Sequence, residues 1–545
     1  MPATKSPKIY LALAVFIFTL ICNYSNAQTN DGFGAKDYLE YEDYNRALIE
    51  YLKLYKANKG DLNLNTKIGL CYLHVNEDKT KAIPYLEFAY KKGGYDDELL
   101  LYLGMAYMYA YKFDEAIKYF NDYKGKVKAK NQEIVNHYIK NCESAKLIIK
   151  NPVNVTFENL GKDINSKYPD YQPFVTKDQG TLYFTSGRET NSKKIQSSQG
   201  YFTSDIYFSK VKEGEWMKAK GIGNMINTAE DEQCVYVTPD GKNMIISIDN
   251  EIVFGDLFIS STLDNKQFSK PVPFNRPVNS EGLELEGCIS EDANMMIISS
   301  KRDEGLGETD LYMVKKLPNG NWGLPINLGP NINTPYKEAF PRFDEKNNIL
   351  YFSSEGHDNM GGFDIFKSQF NSETQTFEKA VNMGYPINTP EDNMQFSVAG
   401  NKRDGYISAW RKEGIGDLDI YKLIFNDIEI RISVIKGIVT VKDSLNQEID
   451  AMVSIFNKKT NKKVEAKNAN KKSGKYVFAV EPGKYLLTVS SPNFQDYSQE
   501  IIIYDKSDSD YIFEIERNIV LKKYEAVPTP LKSAPLKPDK TVILK

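Results

Sequence analysis

Residues 309–314 read TDLYMV, and residues 363–368 read FDIFKS, the same phrase again with its aspartate 54 positions on. An aspartate followed by an aliphatic residue and an aromatic ring stands at five places: Asp205-Ile206-Tyr207, Asp256-Leu257-Phe258, Asp310-Leu311-Tyr312, Asp364-Ile365-Phe366 and Asp419-Ile420-Tyr421. The intervals are 51, 54, 54 and 55 residues. Each phrase follows a short β-rich run (LYFTS, NMIIS, MIISS, LYFSS, DGYIS), and each run follows an asparagine turn, at Asn165, Asn227, Asn279, Asn333 and Asn388. A unit of ~50 residues with about four short strands is what one blade of a β-propeller requires. The spacing therefore predicts a propeller over 151–427 with five blades, or six if the chain holds a further degenerate unit.

An aromatic column marks an outer strand after each phrase, at Trp216, Phe268, Trp322 and Phe377, and Phe157 is read as the same column ahead of the first blade. No such strand follows Tyr421. The segment around Phe157 is thus expected to complete the last blade and remove an open sheet edge. The stretches SSKRDEGLGETDLY and SAWRKEGIGDLDIY resemble the WD-type and TolB-like propeller repeats of bacterial envelope proteins, while SSEGHDNMGGFDIF lacks their arginine. That resemblance specifies a fold and not an activity.

Residues 28–150 carry a different period. Ala47, Ala82 and Ala116, spaced 35 and 34 apart, anchor the helical stretches YNRALIEYLKLY, KAIPYLEFAY and FDEAIKYFNDY. Gly69 and Gly104, in IGLCYL and LGMAYM, let paired helices approach closely. These phrases resemble tetratricopeptide repeats, whose ~34-residue unit is an antiparallel helix pair and whose stacked concave face commonly binds a protein. The first of the three units lacks the glycine. Over 428–522, runs of period two separated by Gly, Pro and Asn turns predict a small β-sandwich. Its GKY and PGKY phrases at Gly474 and Pro482 resemble the carboxypeptidase regulatory-like domain, a transthyretin-like sandwich without peptidase chemistry. Residues 523–545 hold four prolines among lysines and read as an extended tail. The fold expectation is therefore multidomain, α plus all-β.

Lys5 and Lys8, an apolar run and the small-residue site Ser25-Asn26-Ala27 read as a signal peptide over residues 1–27. Lipidation at Cys22 is the alternative, disfavoured by the bulky Ile21. No later run approaches the ~18 apolar residues of a membrane span, so an exported chain in the periplasm, or on the periplasmic face of the outer membrane, is expected. The net charge of −4 is spread without a basic stripe, which argues against nucleic acid. Beyond Cys22 there are only Cys71, Cys142, Cys234 and Cys288, too few for a disulfide scaffold, and His74, His137 and His357 lack metal-ligand spacing. No metal or other cofactor is expected.

The most enzyme-like feature is a set of carboxylates where the blades begin: Asp170, Asp231, Glu232, Glu286, Glu338 and Asp392. Paired acids in a propeller channel are the machinery of some glycosidases. These acids recur because the blade recurs, however, so turn chemistry is the first reading, with catalysis, ion or ligand binding and a partner rim as the alternatives. The aspartates of the repeated phrase, with Arg188, Arg302 and Arg411 upstream, are expected to hold backbone N–H groups and to pair across blades.

The domain order resembles the PorE-like envelope proteins of Bacteroidetes, associated with type IX secretion and gliding. Three binding-type folds in one exported chain, without a recognisable catalytic set, predict a non-enzymatic scaffold or adaptor whose partners are envelope proteins, and the resemblance adds outer-membrane or type IX secretion components to them. In that family an OmpA-like domain grips peptidoglycan after the sandwich; its absence from this sequence makes direct peptidoglycan binding unexpected. The alternative is a glycan-binding or glycan-active propeller that uses the channel carboxylates.

Overall fold

The computed structural model describes residues 34–189, 201–249, 255–263, 267–399, 403–427, 433–441, 448–458, 461–504, 510 and 512–524. The expected signal peptide, Cys22, and the tail from residue 525 onward lie outside them. The chain divides into two compact units, at Ile428 and Glu429.

The first unit opens with helices: α1 (Ala35–Glu40), α2 (Tyr44–Ala57), α3 (Leu62–His74), α4 (Ala82–Lys92), α5 (Glu98–Tyr109), α6 (Phe113–Lys124) and α7 (Ala129–Ile148). Asp43 and Asp61 begin α2 and α3 by accepting the backbone N–H groups of Arg46 and Leu64. Helices α3 and α4 run antiparallel, as do α5 and α6. The glycines mark the crossings, for a Cβ on Gly69 would meet Leu86 at 2.4 Å and one on Gly104 would meet the Phe120 ring at 2.4 Å. Rings fill the next level, with Tyr72 stacked on Tyr85 and Tyr107 on Tyr119. Because Phe120 is fully buried and also stacked on Tyr138 of α7, it cannot yield. Gly104→Ala is expected to cost about 1–3 kcal/mol, read as a lower chemical-denaturation midpoint at unchanged slope.

Five antiparallel sheets follow, each a meander whose first strand is the inner one. The inner strands are Asp170–Val175, Asp231–Val237, Glu284–Ile289, Glu338–Asp344 and Met394–Val398; we number the blades 1 to 5 by them. The inner strands of blades 1 and 2, 2 and 3, 3 and 4, and 4 and 5 lie side by side, and that of blade 5 lies against that of blade 1. The sheets therefore form a closed, propeller-like ring, with no sixth blade among the described residues.

Closure is made by the chain's own start. Val155–Asn159 pairs antiparallel with Asp419–Phe425, from Val155 opposite Phe425 to Asn159 opposite Tyr421, as the outer strand of blade 5. The aromatic column needs one correction. Asn159, Asn327 and Asn382 occupy the same place, each donating to the aspartate of its blade's phrase. Trp322 and Phe377 precede that asparagine by five residues, whereas Phe157 precedes it by two. Phe157 instead lies under the Arg411 guanidinium, 3.5 Å from the ring centre.

Helices and ring meet through polar and aromatic contacts. The Lys79 ammonium pairs with Glu391 at 2.7 Å, Asn141 donates to the Gly361 carbonyl, and His137 stacks on Tyr336. Asn76 and Tyr201 both donate to Asp417. Met360, from a loop of blade 4, is buried in the helical core. All these contacts involve the loops at one end of the inner strands, so the helices cover part of the face where the candidate acids lie.

The second unit holds two four-stranded sheets around a single core that includes Ile435, Val453, Phe478 and Leu487. In Lys475–Val480 alternate residues are buried, the period of a strand with one face inward. Gly474 is required, since it has φ +66° and a Cβ there would meet the Val439 carbonyl oxygen at 2.1 Å.

Candidate functional site

The repeated phrase serves to join the blades. In each one the middle residue is gripped by the following asparagine, which accepts the residue's N–H and donates to its carbonyl. Asn227 grips Ile206, Asn279 Leu257, Asn333 Leu311 and Asn388 Ile365. Asn165, ahead of blade 1, grips Ile420 of blade 5 and so repeats the joint across the closure. A buried side-chain amide that replaces two ladder bonds satisfies backbone groups which would otherwise be lost at the sheet's end. The aspartate of the phrase caps the preceding loop: Asp310 accepts the N–H groups of Leu306 and Gly307, and Asp419 those of Ile415 and Gly416.

The arginines depart from expectation. Arg188 pairs with Asp170, and Arg302 with Glu284 at 3.4 Å, so each meets the inner-strand acid of its own blade. They also donate to the carbonyls of Ile164 and Val278. In blade 4, where the arginine is missing, the His357 imidazole reaches the corresponding carbonyl, that of Ile332, at 2.8 Å.

The six candidate acids separate into different environments. Glu232 and Glu338 are buried, and each accepts the backbone N–H and hydroxyl of the threonine four residues earlier, Thr228 and Thr334. Asp170 does the same for the Ser166 N–H. The equivalent residues elsewhere are Glu284, bonded to Ser280, and Asn393, bonded to Thr389. The sequence reading missed Glu284, although a Ser or Thr four residues before the acid or amide would have found it. Asp392 accepts the Phe363 N–H and belongs to the face met by the helices. Asp170, Glu232, Glu284, Glu338 and Asn393 thus form one clamp column, one per blade; Asp231 is buried beside Gln233, and Glu286 lies two residues deeper than that column.

Glu286 belongs to an interior network. Its Oε1 accepts from Gln172 at 3.0 Å; the Gln172 backbone N–H donates to Gln395, Thr185 donates to the Gln172 amide oxygen, and the Cys234 N–H donates to Thr185. Blades 1, 2, 3 and 5 are thereby joined at the ring's centre. Gln172, Phe340 and Gln395 take positive φ values of 54°, 54° and 61°, at register shifts in their inner strands. Non-glycine residues there are strained, and a bulge re-aims the side chains beyond it.

Beyond the bulges, the strands end at a pocket of about 370 Å³ on the face away from the helices. Arg342 lies at its base, with its guanidinium 4.4 Å from the Phe174 ring centre and 5.8 Å from that of Tyr236. Lys177 and Glu291 form an ion pair at the mouth. Among the described residues no cluster of His, Cys, Asp and Glu is arranged to hold a metal, and no helix is long and apolar enough to cross a membrane. The four described cysteines are buried thiols.

Burial pushes the carboxyls of Glu232, Glu286 and Glu338 up to about 8. A carboxyl held above its unfolded value contributes stability that is present at acid pH and lost as pH rises through the folded value. Burial lowers His74 and His137 to about 4, a contribution present above the unfolded value near ~6.5 and lost as pH falls. The first unit is therefore expected to melt at a higher temperature at pH 6.5 than at pH 9, as scanning calorimetry would show.

No protein-family model and no curated protein sequence matches the chain. Solved structures do. An α-L-arabinofuranosidase from Lactobacillus brevis is 10% identical, covering 50% of this chain and 93% of its own, with a TM-score of 0.31. An α-L-arabinanase from Penicillium chrysogenum, complexed with arabinobiose, is 12% identical over 48% of this chain and 95% of its own, with a TM-score of 0.33. Bacillus subtilis levansucrase is 10% identical over 48% of this chain and 83% of its own, with a TM-score of 0.31.

Proposed function

We propose that this chain is a non-enzymatic scaffold or adaptor of the cell envelope, whose helical array and propeller each present a surface to partner proteins. One observation carries the reading: four of the six candidate acids, Asp170, Glu232, Glu338 and Asp392, accept backbone N–H groups. A general acid or nucleophile needs a carboxyl free to meet substrate, in an environment unlike its partner's. Acids bound to the ring's own backbone serve the ring.

The finer assignments belong to the same proposal. The helices are tetratricopeptide units, in keeping with the glycine crossings at Gly69 and Gly104, and the second unit is a transthyretin-like regulatory domain. Export rests on the leader sequence that ends at Ala27, and placement in a type IX secretion or gliding assembly rests on the resemblance in domain order.

Affinity purification from gently solubilised envelopes tests the reading. Outer-membrane or secretion components are expected to co-purify. Recovery of this chain alone, under conditions that keep a known envelope complex together, would count against it. In parallel, a panel of polysaccharides and aryl glycosides is expected to show no turnover by the native chain; turnover lost in an Asp231→Asn/Glu286→Gln variant would establish the glycan-active alternative.

A further inference from the structure

The pocket on the face away from the helices is built asymmetrically. Four residues beyond the clamp column, the inner strands place Phe174 in blade 1, Tyr236 in blade 2, Cys288 in blade 3, Arg342 in blade 4 and Ser397 in blade 5. Two adjacent blades thus offer aromatic faces, and the other adjacent pair, blades 4 and 5, offers hydrogen-bond donors. Arg342 is 5% exposed and Ser397 8%. The Nε and Nη2 groups of Arg342 and the Ser397 hydroxyl have no hydrogen-bond partner among the described residues. Buried donors of this kind are costly to leave unpaired, yet the two line one pocket together.

Phe174 and Tyr236 hold the guanidinium in place, which lowers the entropy lost when it meets an anion. The acid behind it, Glu286, is pushed up by burial, against the pull of the Arg342 guanidinium, and is engaged by Gln172. The walls combine apolar residues, Val175, Val237, Phe343, Tyr351 and Val398, with charges of both signs, Lys177 and Lys346 against Glu291, Asp344 and Glu345. A carboxylate attached to an apolar group fits the unpaired donors of Arg342 and Ser397 together with the apolar part of the wall. The pocket's volume is at the low end of the ~300–1,000 Å³ typical of ligand sites, enough for a chain end and too small for a folded element.

We propose that this pocket captures the C-terminal carboxylate of a partner polypeptide with an apolar last residue, the carboxylate meeting Arg342 and Ser397. The proposal rests on the protein-binding reading above and deepens it.

Fluorescence anisotropy of the full chain tests it, with N-terminally labelled hexapeptides randomised at the last three positions. One pool carries free C-terminal acids and the other C-terminal amides. The free-acid pool is expected to bind, and the amide pool to bind at least about tenfold more weakly, the loss of a charge-assisted pair. Arg342→Gln is expected to abolish the difference between pools. Should that variant not fold, Ser397→Asp, which puts a carboxylate beside the guanidinium, is expected to abolish free-acid binding with the melting temperature retained. Equal binding of the two pools, binding by neither, or undiminished free-acid binding in folded Arg342→Gln or Ser397→Asp would overturn the proposal. Competition by N-acetyl-leucine as strong as that of unlabelled free-acid peptide would reassign the pocket to small acids and overturn the polypeptide assignment. Failure of both pools alongside co-purification of envelope proteins would remove this pocket and leave the scaffold reading standing.

Discussion

Thr156→Pro combined with Glu158→Pro is expected to abolish the closed ring. The Leu160 N–H donates to Ile420 and the Asn426 N–H to Asn154, which fixes the ladder and makes Thr156 and Glu158 the residues whose N–H groups face the strand Asp419–Phe425. Proline removes each of those donors and clashes within the strand, at about 3 kcal/mol or more per site by analogy with a helix interior. The sum, about 6 kcal/mol, is a large part of the ~5–15 kcal/mol by which a domain is stable. The strand Asp419–Phe425 would be left as an open edge, and the inward side of Phe157 would lose its place beneath Arg411. The expected result is a fall of about 7 °C in the melting temperature of the first unit, or loss of soluble protein. An unchanged melting curve would mean that residues 155–159 are only a linker.

Most of this architecture is legible because propellers repeat. The five Asp-aliphatic-aromatic phrases and five asparagines give the blade count and the joints, and the missing outer strand after Tyr421 gives the closure. What the sequence hides is geometry that depends on bulges. Glu286 reads as equivalent to Glu232 and Glu338, yet it lies two residues further along its strand and faces the interior network. Arg342 gives no sign of itself as a single arginine in EAFPRFD. Its importance arises only when the strained backbone at Phe340 turns it toward Phe174 of a blade some 170 residues away in the chain. The pairing of Arg188 and Arg302 with inner-strand acids, in place of the phrase aspartates, is likewise a matter of reach across one blade. The docking of helices on the ring was equally hidden, because it uses single residues such as Lys79, Asn141 and Met360 that belong to no repeat.

The central claim is that the carboxylates of the clamp column build the ring and do no chemistry, and the thermal unfolding of Glu338→Ala tests it most directly. Glu338 is fully buried and accepts from the Thr334 N–H at 2.8 Å, the Thr334 hydroxyl at 2.6 Å and the Ser354 hydroxyl at 2.7 Å. Alanine leaves three buried donors to find other partners and opens a void at the head of blade 4. At ~1–3 kcal/mol for each group left unpaired, and with the hydroxyls free to turn elsewhere, the cost is about 3–4 kcal/mol. An acid kept for catalysis behaves in the opposite sense, since sites strained for function tend to gain stability when they are neutralised. Glu338→Ala is expected to lower the melting temperature of the first unit by about 4–5 °C; a melting temperature equal to or above that of the native chain would mean that the clamp carboxylates do not hold the ring.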